Sequence, residues 1–202
     1  MTAPEALTAF TALFVIIDPI GLVPIFIALT AGMDARHRRA IALRACAVAT
    51  ALLIVFTLAG ESLLAFVGIS MPAFRIAGGI LLFLTALDML FERRSQRREG
   101  QAESHPEDPS VFPLALPLIA GPGAITTMIL LTDGADTVGT VSAIGVMLAV
   151  IAVVLILFQL AAPLERLLGP TGINVVTRLL GMLLAALSVQ FVLDGISDLP
   201  GW

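Results

Sequence analysis

The sequence predicts an all-α, polytopic membrane protein with six transmembrane helices. Of its 202 residues, 58% are hydrophobic and 13% are charged, and the mean hydropathy is +1.03. Soluble domains carry about 25% charged residues. Six apolar runs are each long enough to cross about 30 Å of hydrocarbon at a rise of about 1.5 Å per residue. We place these spans at residues 7–31, 43–68, 72–91, 112–132, 139–163 and 174–194.

The arginines predict how the six spans are oriented. Four of them follow span 1 and four follow span 3, namely Arg36, Arg38, Arg39, Arg44, Arg93, Arg94, Arg97 and Arg98. The positive-inside rule therefore places loops 1–2 and 3–4 in the cytoplasm, together with loop 5–6, which carries Arg166. Both termini are then expected in the periplasm of a bacterial inner membrane. The net charge of −4 does not point to nucleic acid as a partner.

A weak internal repeat divides the chain into two halves. A shift of about a hundred residues aligns three scarce residues in each half: Pro19, Arg75 and Gly78 with Pro122, Arg178 and Gly181. We interpret residues 1–91 as a first three-helix repeat, 92–111 as a polar cytoplasmic linker and 112–202 as a second repeat. Because each repeat has an odd number of spans, the second enters the membrane with inverted topology. The two aligned arginines could close gates or pair with acids, but interfacial anchoring is the favoured expectation.

Both halves interrupt their first span with proline and glycine. The segments are FVIIDPIGLVPIF, residues 14–26, and PLIAGPGAITTMI, residues 117–129. Proline lacks an N–H and leaves a helix carbonyl free, which in hydrocarbon must be satisfied by protein, water or ligand. The residue before each proline, Asp18 or Gly121, is expected to cap a half-helix that begins in mid-membrane. Helices 1 and 4 are therefore predicted to be broken, and such paired breaks are typical of a transporter's binding site.

The two breaks supply complementary charges. Asp18 offers a carboxylate, whereas the amides of the second break carry the partial positive charge of a helix N-terminus, about half a unit. This pattern suits a small zwitterion, with its ammonium near Asp18 and its carboxylate near residues 121–127. The candidate substrate- and ion-binding residues are Asp18, Pro19, Gly21, Pro24, Gly121, Pro122, Gly123, Ala124, Thr126 and Thr127.

A purely structural interpretation competes with this site. In that interpretation Asp18 only caps a kinked helix, and Thr126 and Thr127 bond to carbonyls of their own helix. An aspartate inside a membrane span costs about 2.5–3.5 kcal/mol on insertion scales, which a plain kink does not require. This cost favours a functional role for Asp18.

An enzyme is not expected. Hydrolysis would need a nucleophile with a base, a metal cluster or paired carboxylates within reach. Both histidines, His37 and His105, fall in loops and have no partner at metal-ligand spacing. No cofactor or metal ion is predicted.

Three segments carry a family resemblance: DPIGLVPIF, FRIAGGILLFLTALDML and PLALPLIAGPGAITTMIL. They resemble the signatures of the MarC (UPF0056-type) family of bacterial inner-membrane proteins, which is related to small neutral amino-acid transporters of the SnatA type. The resemblance covers nearly the whole chain except the linker. It implies six helices and, for some members, transport of glycine- and alanine-like substrates driven by an ion gradient. Family members commonly carry asparagine after the glycine of DPxG, where this chain has Leu22.

The residues and the resemblance together predict a secondary transporter of a small neutral solute that works by ion-coupled alternating access. H⁺ and Na⁺ are the candidate coupling ions, because the carboxylate of Asp18 can take up a proton or a cation. The expected partners are the solute and membrane lipids, and the small-residue faces are compatible with a homo-oligomer. The alternatives are a structural or regulatory membrane protein and an exporter of another small solute.

Overall fold

The computed structural model describes residues 1–91 and 108–199, and within these ranges the chain is helical and has no strand. The helices are α1 (Ala3–Ile17), α2 (Pro19–Leu29), α3 (Ala35–Val67), α4 (Met71–Leu90), α5 (Ser110–Ile119), α6 (Pro122–Leu131), α7 (Thr137–Gln159) and α8 (Ala161–Ser197). Helix α5 consists of π-helical turns and includes two residues with extended backbone angles, Phe112 and Leu116. The prediction of an all-α fold is confirmed.

The number of membrane spans agrees with the sequence-based expectation. Within residues 1–91 and 108–199, five stretches are long and apolar enough to cross a membrane, and the pair α5–α6, bent by 55°, makes a sixth if it is counted as one span. Helices α1 and α2 together form the first stretch, of 27 residues. The predicted linker, residues 92–111, lies largely outside the described residues, except that Ser110 and Val111 already belong to α5.

Two helices are longer than the apolar runs that predicted them. The predicted spans 43–68 and 174–194 both start inside the longer helices α3 and α8. Asp34 caps α3 with its carboxylate, which accepts a hydrogen bond from the N–H of His37 at 2.7 Å. Because arginine is a good helix former, α3 extends through the polar sequence that follows this cap. Helix α8 is kinked at Gly169, whose φ of 62° lies in the left-handed region.

The most extensive helix pair is α4 with α8. The two helices run antiparallel, and glycines bring their backbones close together. A Cβ built on Gly79 would lie 2.8 Å from the carbonyl oxygen of Ser188, and one on Gly195 would lie 3.0 Å from that of Pro72. Neither glycine can gain a side chain unless the helices separate, as expected where small residues line a helix interface in a membrane.

Most of the helix packing joins the first half of the chain to the second. Helix α3 lies against α5 and α6, α7 lies against α1 and α2, and α4 lies against α8. Two interlocked repeats would produce this pattern. The inverted relation between the halves stays a prediction.

Arg75 pairs with acidic residues, one of the alternatives that the sequence left open beside interfacial anchoring. Its guanidinium forms ion pairs with Asp133, which follows α6, and with Asp198, at the end of α8. We call the end of the molecule that carries Met1 and these ion pairs the amino-terminal face. The opposite end, which carries the arginines at the start of α3, is the arginine face.

Candidate functional site

Asp18 links α1 to α2 in a left-handed conformation, with φ 55° and ψ 63°. Its backbone N–H donates to the carbonyl of Phe14 at 2.9 Å, which ends α1. Its carboxylate accepts a hydrogen bond from the N–H of Gly21 at 3.1 Å, which caps α2. Aspartate tolerates this backbone region because its short polar side chain bonds locally. The predicted cap is confirmed, and the residue is completely buried.

The neighbours of Asp18 fix the position of its carboxylate. A Cβ on Gly21 would collide with Oδ2 of Asp18, so only glycine leaves room there. Pro19 opens α2, where no N–H is needed. Pro24 lies inside α2 and cannot donate to the carbonyl of Ile20. The first break therefore combines a buried carboxylate with a helix carbonyl that lacks its usual intrahelical donor.

The second break separates α5 from α6 at Ala120 and Gly121. Gly121 is the N-cap of α6 and has extended backbone angles, φ −79° and ψ 168°, with no side chain to cap the helix. A Cβ there would lie 2.5 Å from the carbonyl oxygen of Pro117, so the position cannot carry a side chain. Helix α6 begins at Pro122, as predicted. The N–H groups of Gly123 and Ala124 are thus in an uncapped first turn.

The N-terminus of α6 lies against α1 close to the first break. A Cβ on Gly123 would be 3.2 Å from Cγ2 of Ile16, two residues before Asp18, and 2.9 Å from Cδ2 of Leu82. The two breaks are therefore neighbours in the fold, and Gly123 and Ile16 make the contact. That Asp18 and the amides of α6 bind one ligand stays a prediction.

The hydroxyl of Thr127 is buried and has no hydrogen-bond partner among the described residues. Seven other threonines, within helices or directly after them, donate to the carbonyl four residues earlier, namely Thr8, Thr11, Thr30, Thr57, Thr85, Thr132 and Thr140. The hydroxyl of Thr177 in α8 shares with that of Thr127 the lack of a partner among the described residues. Leaving a buried hydroxyl unsatisfied costs about 1–3 kcal/mol. Thr127 thus departs from the structural interpretation of its role, because its Oγ1 makes none of these hydrogen bonds to its own helix.

Thr127 lines a cavity of about 610 Å³ that reaches the amino-terminal face. The walls of this cavity, which we call the amino-terminal cavity, include Glu5 and Ala12 of α1, Gly139 of α7 and Phe191 of α8. On α6 the cavity is lined by Thr127, Leu130 and Leu131, so it connects the second half of this helix with the surface that carries Met1. Its volume is in the range of small-molecule sites.

Thr126 faces a different space from Thr127. Its Cγ2 occupies the room that a Cβ on Gly78 of α4 would need. It also lines an apolar groove of about 380 Å³ that includes Gly60 of α3 and Pro122. The sequence analysis grouped the two threonines, whereas the structure places only Thr127 on the amino-terminal cavity.

The described residues lack the side-chain groupings that hold metal ions. Within residues 1–91 and 108–199, no three His, Cys, Asp or Glu side chains are grouped as a metal ion would require. The groups that the two breaks provide are one carboxylate, one hydroxyl and backbone amides.

The sequence analysis did not anticipate an aromatic contact at the arginine face. Phe26 of α2 and Phe158 of α7 stack with ring centroids 4.3 Å apart and planes inclined by 6°. The guanidinium carbon of Arg38 lies 5.8 Å from the centroid of the Phe26 ring. A phenylalanine inside an apolar run carries no local signal of its partner, and these two are distant in sequence.

Comparison with known proteins identifies the family. The family described as MarC family integral membrane protein matches the chain over residues 4–199. A UPF0056 membrane protein of Archaeoglobus fulgidus is 38% identical over 194 residues, which cover 94% of this chain and 91% of that protein. The UPF0056 inner membrane protein YhgN of Escherichia coli K12 is 37% identical over 192 residues, which cover 95% of this chain and 96% of that protein.

A third relative, the UPF0056 membrane protein YvbG of Bacillus subtilis, is 36% identical over 196 residues, covering 94% of this chain and 93% of that protein. No solved structure matches the chain. The family match includes both breaks. The chain belongs to the MarC family of integral membrane proteins.

Proposed function

We propose that this protein is a secondary transporter of a small neutral, zwitterionic solute, with glycine and alanine as first candidates, and that it works by ion-coupled alternating access. The observation that carries the proposal is the hydroxyl of Thr127, which is buried and unpartnered among the described residues. It lies in the middle of a helix that begins inside a membrane span, and the residue lines a cavity that reaches the surface. Transporters commonly bind their substrates at such discontinuous helices.

The first turns of α6 provide the site for the substrate's carboxylate. Gly121 leaves the helix N-terminus without a side-chain cap, so the amides of the first turn point toward an anionic group. The Oγ1 of Thr127 adds a hydroxyl donor. The absence of side chains at Gly121 and Gly123 lets neighbouring protein atoms pack closely around this turn.

Asp18 provides the opposite charge, for the substrate's ammonium or for a coupling ion. Its carboxylate is buried, and Oδ1 accepts the hydrogen bond that caps α2. Binding of H⁺ or Na⁺ at this carboxylate would neutralise a charge that is costly inside a membrane. Binding of the ion would also alter the carboxylate that accepts the hydrogen bond from the first turn of α2. Ion binding is thereby linked to the conformation of the first break.

We place the protein in a bacterial inner membrane with both termini periplasmic and loops 1–2, 3–4 and 5–6 cytoplasmic. The arginines near Arg38 support this orientation, and the name of the relative YhgN assigns that protein to an inner membrane. The interlocked packing of the two halves supports inverted-topology repeats. In this orientation the amino-terminal cavity faces the periplasm, and the stack of Phe26 on Phe158 lies toward the cytoplasm.

The proposal is tested by uptake and counterflow of labelled glycine, alanine and serine in proteoliposomes, with and without a pH or sodium gradient. Thr127→Val removes the unpartnered hydroxyl at nearly constant volume. Thr57→Val is the matched control, because Thr57 is also buried but its hydroxyl donates to the carbonyl of Leu53. A hydrogen bond to a charged group contributes about 1.5–3 kcal/mol, so we expect Thr127→Val to weaken apparent affinity roughly 10- to 100-fold and Thr57→Val to change it little.

Asp18→Asn tests the coupling role in the same assay. We expect it to remove the response to the imposed gradient, and the gradient that drives the wild type identifies the coupling ion. If the wild type moves none of the three amino acids under any gradient, the amino-acid proposal is wrong. Counterflow of another solute would then favour the exporter alternative. A folded Asp18→Asn variant with wild-type behaviour in the cell would favour a structural or regulatory role.

A further inference from the structure

A second cavity, of about 210 Å³, opens at the arginine face between α2, α3, α7 and the start of α8. We call it the arginine cavity. The residues used below are Phe26, Arg38, Arg39, Phe158, Gln159 and Ala162, all of which line it. It is separate from the amino-terminal cavity, whose walls share none of these residues.

The two arginines of this cavity lack the acidic partners that neutralise arginines elsewhere in the structure. Arg44, in the same helix, pairs with Asp108, and Arg75 pairs with two aspartates. Neither Arg38 nor Arg39 forms an ion pair with any acidic residue of the described part of the chain. Two positive charges without an acidic partner among the described residues therefore converge on one concave surface.

Asp34 is the acidic group closest in sequence to these arginines. Its carboxylate is engaged at the start of α3, where it accepts the hydrogen bond from the N–H of His37. The last carbonyls of α7, which ends at Gln159, carry a partial negative charge and favour nearby cations. This helix end attracts the guanidinium groups. Each guanidinium has five N–H donors, so the last carbonyls of α7 can accept only some of their hydrogen bonds.

The floor of the cavity is aromatic and fixes one of the charges. Arg38 lies over the ring of Phe26, at 5.8 Å from its centroid, and Phe26 in turn stacks on Phe158. An arginine held by an aromatic ring can still use its N–H donors to grip the oxygens of a carboxylate or a phosphate. Gln159 places a side-chain amide on the same wall, which adds neutral donors.

We propose that the arginine cavity is an oxyanion-binding site in which Arg38 and Arg39 hold a carboxylate or phosphate group. The oxygens come from the carboxylate of a solute that enters or leaves at this face, or from the phosphate of an anionic lipid headgroup. The site stands apart from the Thr127 site, and it does not require that the protein transport amino acids. Where the ligand is the carboxylate of a transported solute, that source rests on the proposed function.

The test uses the accessibility of a cysteine placed in the cavity of the full-length protein. Ala162→Cys is introduced together with Cys46→Ala, since Cys46 is the chain's single cysteine. Two methanethiosulfonate reagents are used, one that carries a negatively charged sulfonate and one that carries a positively charged trimethylammonium group. The rates at which they modify the cysteine are compared at fixed low ionic strength. We expect the negative reagent to react roughly tenfold faster, as electrostatic focusing in a charged cleft predicts.

Two arginine variants separate the cavity from the general charge of this face. Arg38→Gln should bring the two rates to within about twofold of each other, because it removes a positive charge that attracts the negative reagent to the cavity. Arg36→Gln removes the same charge from the same helix at a residue outside the cavity lining, and it should preserve the preference. Arg38→Lys keeps the charge and should retain most of the preference for the negative reagent. This variant is the control for a loss of preference caused by misfolding.

Protection experiments distinguish the two sources of oxyanion. In nanodiscs of phosphatidylcholine alone, added acetate or glycine should slow modification of the cysteine if the site takes solute carboxylates. If it takes lipid phosphates, phosphatidylglycerol in the nanodisc should slow modification and acetate should not. Equal rates for both reagents in the arginine-containing protein, with no protection by either ligand, would overturn the proposal. Because no transport is measured, failure of amino-acid transport would leave the site standing.

Discussion

The Nη2 of Arg75 lies 3.0 Å from Oδ2 of Asp133, and its Nη1 lies 2.6 Å from Oδ2 of Asp198. One guanidinium thus joins the first turns of α4 to the segments that follow α6 and α8. Helices α6 and α8 line the amino-terminal cavity, and α4 and α8 form the most extensive helix pair. The ion pairs tie the first half of the chain to the second at the face where that cavity opens.

Replacing Arg75 with glutamine should lower the thermal stability of the protein modestly. The three side chains are partly exposed, and exposed ion pairs contribute about 0–1 kcal/mol each, more in a network. We expect a decrease of a few degrees in the melting temperature in detergent, and the difference from wild type should shrink in high salt. Arg36→Gln, which forms no ion pair among the described residues, is the control. A salt-independent loss would contradict an electrostatic origin.

Gly21→Ala should damage the first break. The new Cβ would collide with Oδ2 of Asp18, and overpacking of this kind costs about 1–3 kcal/mol. We expect a lower melting temperature and a loss of whatever activity depends on the Asp18 carboxylate. Gly145→Ala in α7 is the matched control, because a Cβ there meets nothing within 4 Å. Wild-type stability of Gly21→Ala would show that the carboxylate can move away at little cost.

The stack of Phe26 on Phe158 should give a measurable coupling energy. A double-mutant cycle with Phe26→Leu and Phe158→Leu is expected to yield about 0.5–1.5 kcal/mol from unfolding measurements. Phe10 and Phe14 provide a comparison, since their centroids are 6.0 Å apart and their planes are inclined by 21°. That pair should couple more weakly. Additive effects of the two leucine substitutions would mean that the rings contribute only through their burial.

Asp108 should make stability sensitive to acid. Hydrogen bonds from Ser110, followed by the charge of Arg44, lower the pKa of this carboxyl below its ordinary value of 3.8. The contribution is therefore fully present above pH 3.8 and is lost as the pH falls through the lowered pKa. We expect wild type and Asp108→Asn to differ in melting temperature near neutral pH and to converge under strong acid. A difference that persists in strong acid would point to a cause other than this ionisation.

The sequence was sufficient to locate both breaks, because proline and glycine act locally. Pro19 and Pro122 dictate where a helix can begin, and Asp18 and Gly121 before them can only be caps. The same local chemistry explains the early start of α3. A hydropathy window excludes Asp34 and the arginines because they are polar, whereas a capping interaction does not depend on hydropathy. The number of spans followed from length and apolar character alone.

The arrangement around the site depended on packing that no local pattern encodes. Thr126 and Thr127 are adjacent in sequence, and adjacent residues on a helix do not face the same way. Helix geometry could have separated them, but only the neighbours Gly78 and Ala12 show which one reaches the amino-terminal cavity. The ring stack of Phe26 on Phe158 likewise requires α2 and α7 to be placed before it can be seen.

The interlocked packing has a consequence for how the chain assembles during synthesis. Helices α1 to α4 make their main contacts with α5 to α8 and few with one another. When the ribosome has released only the first half, these helices are in the bilayer without the surfaces they will finally cover. Glycines such as Gly79 must wait for α8, which emerges after all the helices named here. The newly made protein therefore consists of loosely associated helices until α8 has been synthesised, and a product truncated before α8 should be an early target for membrane proteases.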